Sequence, residues 1–347
     1  MTVTNLGACF SGLPERNRVK PAAVVESMRL SLLDRSRTRT DRSAATAVSD
    51  SIERARWAEA AGYERFWVAE HHAVPGIASG SPAVLLAAIG AATSWIRLGS
   101  GGVMLPNHSP IVVAEQFAML DALYPGRVDL GVGRSLGFTP PVRKVLRADT
   151  EDAERFADDL ADLQDFLLGT GPVTVQPAPE RLIPIHVLAT GHGLAIAAQR
   201  GLPVVVGGPM LWGDLAPLAA YRREFVPSAF AAQPSVTVSL DVLVADTDAE
   251  ARRLAMAEAV AMADSRRTGE FPPLRAVTEM PDGLTPRARE SAQRSLDGSV
   301  HGSPATVRRR LENLVDRTGA DEILSSASTF DRDALRASDE ALAALLR

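Results

Sequence analysis

The sequence predicts an α/β fold, a (β/α)8 TIM barrel, on three observations. Eight short apolar runs alternate with helical patterns, no series of antiparallel hairpins interrupts them, and 347 residues suffice for one large barrel. The first run, "RLSLLD" (29–34), reads as a strand, and 44–61 as a helix with Val48, Ile52, Ala55 and Ala58 at helical spacing. "RFWVAE" (65–70) is a strand, 82–94 a helix, and "RLGSGGVML" (97–105) the third strand. Helix 110–122 sets Val113, Phe117 and Leu120 on one stripe. "GRVDLGVG" (126–133) is the fourth strand and 151–168 a charged amphipathic helix. "IPIHVLA" (183–189), "LPVVVGG" (202–208) and "VTVSLDVLVA" (236–245) supply strands five to seven, and "ADEILSS" (320–326) the eighth, before a last helix over 331–346.

Two stretches lie outside this rhythm. Residues 1–27, with Pro14, Pro21 and several charges, read as an N-terminal extension to a barrel over 28–347, and Met28 is a candidate alternative start. Residues 265–300 form an insertion between strands seven and eight. Rich in Pro, Gly and Arg, they are too long for an ordinary connection and read as a lid or mobile insertion above the barrel mouth.

Composition narrows the function. An apolar share of 46% supports a large core, and a net charge of −5 offers no basic field to nucleic acid or anionic lipid. The single Cys9 excludes an intrachain disulfide and a cysteine-based zinc site. Neither a signal-peptide core in 1–27 nor any run of about 18 apolar residues is present, so the expected location is the cytoplasm, off the membrane. The second helix, "SPAVLLAAIGAATS", is apolar almost all round, where a barrel helix should keep one wet face. It predicts a homodimer through helices 82–94 and 110–122, with Leu86 and Ile89 as positions where a charge should disturb assembly.

The chemistry concentrates at strand ends. "WVAEHHAVPG" (67–76) places a carboxylate and two of the six histidines at the C-terminal end of strand two, the barrel end that carries active sites. The residues leave three readings: a metal pair, a structural histidine satisfied by Glu70, or one catalytic histidine in the mouth. Strand alternation opposes the first, since Trp67, Ala69 and His71 form one set and Val68, Glu70 and His72 the other. No H-E-x-x-H spacing occurs either, so no metal is expected. "GSGG" (99–102) is either a bulge or a bare backbone that a flat ligand approaches closely. "GVGR" (131–134) adds an Arg able to hold a phosphate in two bonds. "ATGHG" (189–193) starts a helix, with Thr190 as an ordinary cap or its small residues as a phosphate site. "GSPATV" (302–307) reads as a plain helix start, with Ser303 as cap and Pro304 at the first helical position.

With these residues assembled, "GYERFWVAEHH", "IRLGSGGVMLPNHSPIVVAEQFAMLDALYPGRVDLGVGR" and "GSPATVRRRLENLVDRTGADEI" resemble the bacterial luciferase-like flavin monooxygenase family, from about residue 29 to the end. "LSLLDRS" is similar to members from bacterial natural-product pathways. The resemblance implies a barrel that binds reduced FMN at its C-terminal face and uses O2. His71 matches the family's active-site histidine. Gly101 and Gly102, with Ser100 beside them, match a non-proline cis peptide under the isoalloxazine. Arg134 and Arg155 match phosphate-binding arginines. Thr190 and Gly191, followed by His192 and Gly193, match the helix start that caps the phosphate. Gly133 stands where luciferase has a reactive cysteine, and "VVVGGPMLWGD" (204–214) departs from luciferase, which argues against a long-chain aldehyde substrate and light emission. The expected activity is therefore a two-component monooxygenase that hydroxylates or epoxidises a small organic, polyketide-type substrate. A separate reductase would supply reduced FMN, since no nicotinamide motif is present. The alternatives are a deazaflavin-dependent hydride-transferring oxidoreductase and a flavin-binding protein without turnover.

Overall fold

A computed structural model of the chain describes residues 28–347 apart from 138, 148 and 149. The expected extension 1–27 lies outside the described residues. Strands β1 (Arg29–Asp34), β2 (Arg65–Val68), β3 (Arg97–Ser100), the short β4 (Val103–Met104), β5 (Val128–Gly133), β6 (Ile185–Leu188), β7 (Val204–Gly207), β8 (Val236–Leu240), β9 (Val242–Val244), β10 (Val300–Gly302) and β11 (Glu322–Ser325) alternate with helices. In spatial order β3, β2, β1, β11, β8, β7, β6 and β5 are parallel neighbours, and β3 pairs with β5 to close the barrel. β4 resumes the third strand after Gly101-Gly102 and pairs with β5. The seventh expected strand is split at Asp241: its second part, β9, leaves the barrel to pair with β10.

Alternation along the strands separates two cores. Leu30, Leu32, Phe66, Val68, Leu98 and Leu130 face outward into the layer under the helices. Leu33, Trp67, Ala69, Val205 and Leu324 form a small apolar layer within the barrel. Below it, at the strand starts, the interior is charged: Arg65 lies 3.4 Å from Asp129 and 3.6 Å from Glu322, and Ser31 Oγ donates to Glu322 at 2.5 Å. The barrel is thus filled from below, and its larger cavities open toward the C-terminal strand ends.

The helices are α1 (Ala44–Ala61), α2 (Pro82–Ala92), α3 (Pro110–Leu123), α4 (Pro140–Leu146), α5 (Thr150–Glu154), α6 (Phe156–Leu168), α7 (His192–Arg200), α8 (Ala216–Glu224), α9 (Asp248–Thr268), α10 (Pro286–Asp297), α11 (Pro304–Thr318) and α12 (Arg332–Leu345). α1 stops where Gly62, at φ 85°, donates its N–H back to Ala58 and Glu59 carbonyls. The 265–300 insertion contains a helix, α10, where a loop is expected. Thr285 caps it by accepting the Ala288 N–H, and Pro286 opens it. Among the described residues no helix is long and apolar enough to cross a membrane.

α2 corrects one expectation. Leu86 and Ile89 are fully buried within the protomer, because α2 is wedged between α1, α3 and the strands. The apolar surface left outside belongs to other residues: Val84 is 71% exposed, and Met119 and Leu123 on α3 are 55% and 58% exposed.

A buried cation holds the first and last β/α units together. Arg54 on α1 donates to both oxygens of Asp339 on α12, at 2.9 and 3.1 Å, and to Asp34 at the end of β1, at 3.1 Å. Trp57 and Tyr63 add bonds to the same residue of α12. Arg54→Met leaves two buried carboxylates uncompensated and should cost about 3–5 kcal/mol in urea denaturation. A loss below about 1 kcal/mol, the value of a surface pair, would contradict this account.

Candidate functional site

Past Val68 the chain leaves the β2 ladder but stays anchored, with Ala69 N–H on the Asp34 carbonyl at 3.0 Å and His71 N–H on that of Ser79 at 3.0 Å. Between these anchors Glu70 is buried, and it gathers three donors. Its Oε2 accepts the Met104 N–H at 3.0 Å, while Oε1 meets His72 Nε2 at 2.6 Å and His108 Nε2 at 2.7 Å. Burial alone would raise its pKa. The bonds from His108 and His72, with the Met104 amide, outweigh that and bring it to about 2. Glu70 is therefore an anion that clamps the end of β2 to β4 and to the turn after it.

The two histidines part company here. His72 turns to Glu70, whereas His71 lines a cleft of about 430 Å³ at the strand ends and stands edge-on to Phe271, with centroids 5.7 Å apart. Burial, and then the nearby Arg35 and Arg37 guanidinium groups, lower the His71 pKa to about 4. It is neutral at neutral pH, which makes it a proton acceptor there. The sequence does not show this departure from the ordinary value near 6.5, because burial and the two arginines come from the tertiary structure. It also misses His108, whose only signal is its place just past the third strand in "VMLPNH". Glu70, His72 and His108 each offer one ligand atom, all within 4.8 Å of one another. In the structure both histidine Nε2 atoms bond to Glu70 Oε1.

The floor of the cleft is backbone. Gly101 and Gly102 line it, and the peptide between them is cis. A Cβ on Gly101 would lie 2.4 Å from Leu33 Cδ1, and one on Gly102 would lie 2.9 Å from the Gly131 carbonyl oxygen. Only glycine leaves room on both sides of this wall. Ser100 is buried and does not line the cleft; its hydroxyl donates to the Gly131 carbonyl at 2.7 Å and accepts the Gly131 N–H at 3.0 Å. It stitches the floor to β5.

At the far end, Arg134 follows β5 and is exposed into the cleft, with Thr190 and Gly193 opposite. The cap of α7 is Gly191, at φ 55° and ψ −120°, not Thr190, and the helix begins without a side-chain cap. An uncapped helix start beside an exposed Arg is a ready anion site. Gly191 and His192 stand on the exposed rim, outside the lining. Arg155, between α5 and α6, is exposed, already engaged in an interaction, and adjacent to Phe156, which does line the cleft. His71, Gly101, Gly102, Arg134, Thr190 and Gly193 are thus brought together; Ser100, Arg155, Gly191 and His192 flank them.

The family model for luciferase-like monooxygenases matches residues 28–322. A protein of Escherichia coli (strain K12) named luciferase-like monooxygenase is 38% identical over 317 residues, 89% of this chain and 94% of its own. The N-acetyl-S-alkylcysteine monooxygenase of Bacillus subtilis (strain 168) is 43% identical over 206 residues, 57% of this chain and 62% of its own. Among solved structures, apo-MsnO8 is similar at a TM-score of 0.79 and 32% identity, over 92% of this chain and 98% of that one. Matched across almost the whole barrel, the chain belongs to the luciferase-like monooxygenase family of oxidoreductases.

Proposed function

We propose that the protein is a two-component monooxygenase that uses reduced FMN and O2 to hydroxylate or epoxidise a small organic substrate. The observation that carries this reading is one cleft with a bare-backbone floor at Gly101-Gly102 and an anion site at Arg134 and the start of α7. A planar ring system fits against a floor that carries no side chain, and a terminal phosphate fits the uncapped amides and the guanidinium. When bound, reduced FMN supplies the two electrons that activate O2. One oxygen atom enters the substrate and the other leaves as water. His71, neutral and half-buried on the cleft wall, accepts a proton from the reacting partners, and Glu70 fixes the loop that presents it. The nicotinamide step is left to a separate reductase, and the natural-product setting rests on the sequence resemblance alone.

Reduced FMN should bind more tightly than oxidised FMN. Arg134→Ala should lose about 1.5–3 kcal/mol of that binding, the range for a hydrogen bond to a charged group. Anaerobic titration of both proteins measures it; equal affinity would remove Arg134 from the site. A deazaflavin in the spectrum of the copurified protein would instead favour hydride transfer on the same barrel.

His71→Ala should keep the fold and most of the FMN affinity while turnover falls about 10²–10⁴-fold. His72→Ala should mainly lower stability, by about 1–3 kcal/mol, since Glu70 loses a donor. The folded pKa of His71 lies below its unfolded value, so the unfolded chain takes up the proton first as pH falls. Any stability His71 contributes is present above about 6.5 and declines toward 4, and the acid limb of kcat/KM belongs near 4. A limb between about pH 6 and 7 that disappears in His71→Gln would show that the histidine titrates normally.

The exposed Val84, Met119 and Leu123 form the face through which we place a homodimer. Val84→Glu should shift sedimentation toward monomer without lowering the melting temperature. A wild-type protein that sediments as a monomer at micromolar concentration would rule the dimer out.

A further inference from the structure

The cleft at β2, β3, β5 and β6 takes up one half of the barrel mouth. The other half, at the ends of β7, β8, β11 and β1, opens into a larger cavity of about 680 Å³, roofed by α9 and α10. The halves adjoin, since β1 pairs with β2 and β6 with β7. Trp212, Leu240 and Met262 give the second cavity its apolar surface. Its charged lining is Arg35, Arg266 and Arg294 against Asp241 and Asp297.

These charges are not equivalent. Arg35 is committed to the wall, with Nη2 3.3 Å from Asp241 Oδ1 and 2.9 Å from the Ser326 carbonyl, so it and Asp241 offset each other. Arg266 spends Nη1 on the Ser291 carbonyl and hydroxyl, both at 3.1 Å, which joins α9 to α10 and holds the guanidinium in place. Arg294 pairs with Glu290 at 2.5 Å, but their side chains are 54% and 68% exposed, and such a pair exchanges readily for a better-placed anion. Asp297 shares the lining with them and accepts from Gln293 at 2.7 Å. Arg266 and Arg294 also line a neighbouring cavity of about 270 Å³ with Arg267 and Arg287, and no acidic residue lines it. In a chain of net charge −5, four arginines therefore converge above this half of the mouth.

We infer that this cavity receives the organic substrate and that the substrate is an amphipathic carboxylate. Its apolar body lies on Trp212, Leu240 and Met262, and its carboxylate on Arg266 and Arg294. The paired N–H groups of a guanidinium match the two oxygens of a carboxylate. The placement of this cavity as the substrate's rests on the monooxygenase reading, while the preference for an anion is a property of the cavity alone.

The test uses the full chain without flavin and a series of phenylalkanoic acids with their matched primary amides, read by calorimetry and by quenching of Trp212 fluorescence, with Trp212→Phe as the optical control. The acids should bind about tenfold or more tightly than the amides, the factor expected of a charged hydrogen bond. Arg294→Gln should remove most of that preference without changing the melting temperature, and Arg266→Gln should remove it with some loss of stability. Equal binding of acids and amides, binding by no member of the series, or a preference that survives both substitutions would overturn the inference. Displacement of the acids by an equal concentration of inorganic phosphate would overturn the carboxylate assignment. Failure of the flavin reading would show separately, as absence of reduced-FMN binding with the acid preference intact.

Discussion

The Arg54 guanidinium, buried between Asp34 and Asp339, is the interaction on which the geometry of the mouth depends. A closed barrel must join its first unit to its last, and here buried ion pairs reinforce the ladder between β1 and β11. Asp34 does more than pair: its second oxygen accepts from the Ser36 amide at 2.6 Å and from Ser51 at 2.7 Å, and its carbonyl takes the Ala69 N–H. The loops that leave β1 and β2 are therefore hung from a single residue, one from its carboxylate and the other from its carbonyl. Arg35, Arg37 and His71 all lie on those loops, so the seam of the barrel and the electrostatics of the site have a common origin.

A second buried anion carries that influence upward. Glu258, on α9, lies 3.3 Å from Arg35 and 3.0 Å from Arg37, and Arg37 in turn stacks over Phe271 at 5.6 Å. Phe271 is the ring against which His71 rests. The cations that add to the effect of burial on His71 are thus held by α9, the long helix that precedes the insertion, and, through Asp241 and Ser326, by the strand ends of the barrel. Removing the positive field by dilution into solvent is prevented because all of these groups are buried or nearly so.

How far the sequence could be read follows from where local pattern and tertiary context agree. Arg29–Asp34 and Ala44–Ala61 have the expected bounds, because alternation and helical spacing there coincide with burial. The third strand breaks at Gly101-Gly102, and the seventh at Asp241, for reasons outside either segment: a close approach to Leu33 and β5 in one case, pairing with β10 in the other. α10 is hard to see because its buried face amounts to Ser291, Ala292 and Leu296 within an Arg-rich run. Leu86 and Ile89 mislead because an all-apolar helix does not say which side its neighbours cover. In the site, the histidine pair and glycine floor are visible as motifs. The role of His108 is not, since it depends on a contact 38 residues away in sequence.

The two cavities of the mouth draw on separate stretches of chain. One is built from residues 70–193; the other, Arg35 apart, from residues 208–326. Its floor being peptide, the first has little side-chain chemistry to vary. The second is walled by side chains from a 3-10 turn and two helices that the inner barrel layer does not need. Change can therefore accumulate in the C-terminal part of the chain while the N-terminal part stays fixed. A lineage built on this plan can exchange what it acts on by remodelling, or even recombining, one contiguous segment of its gene.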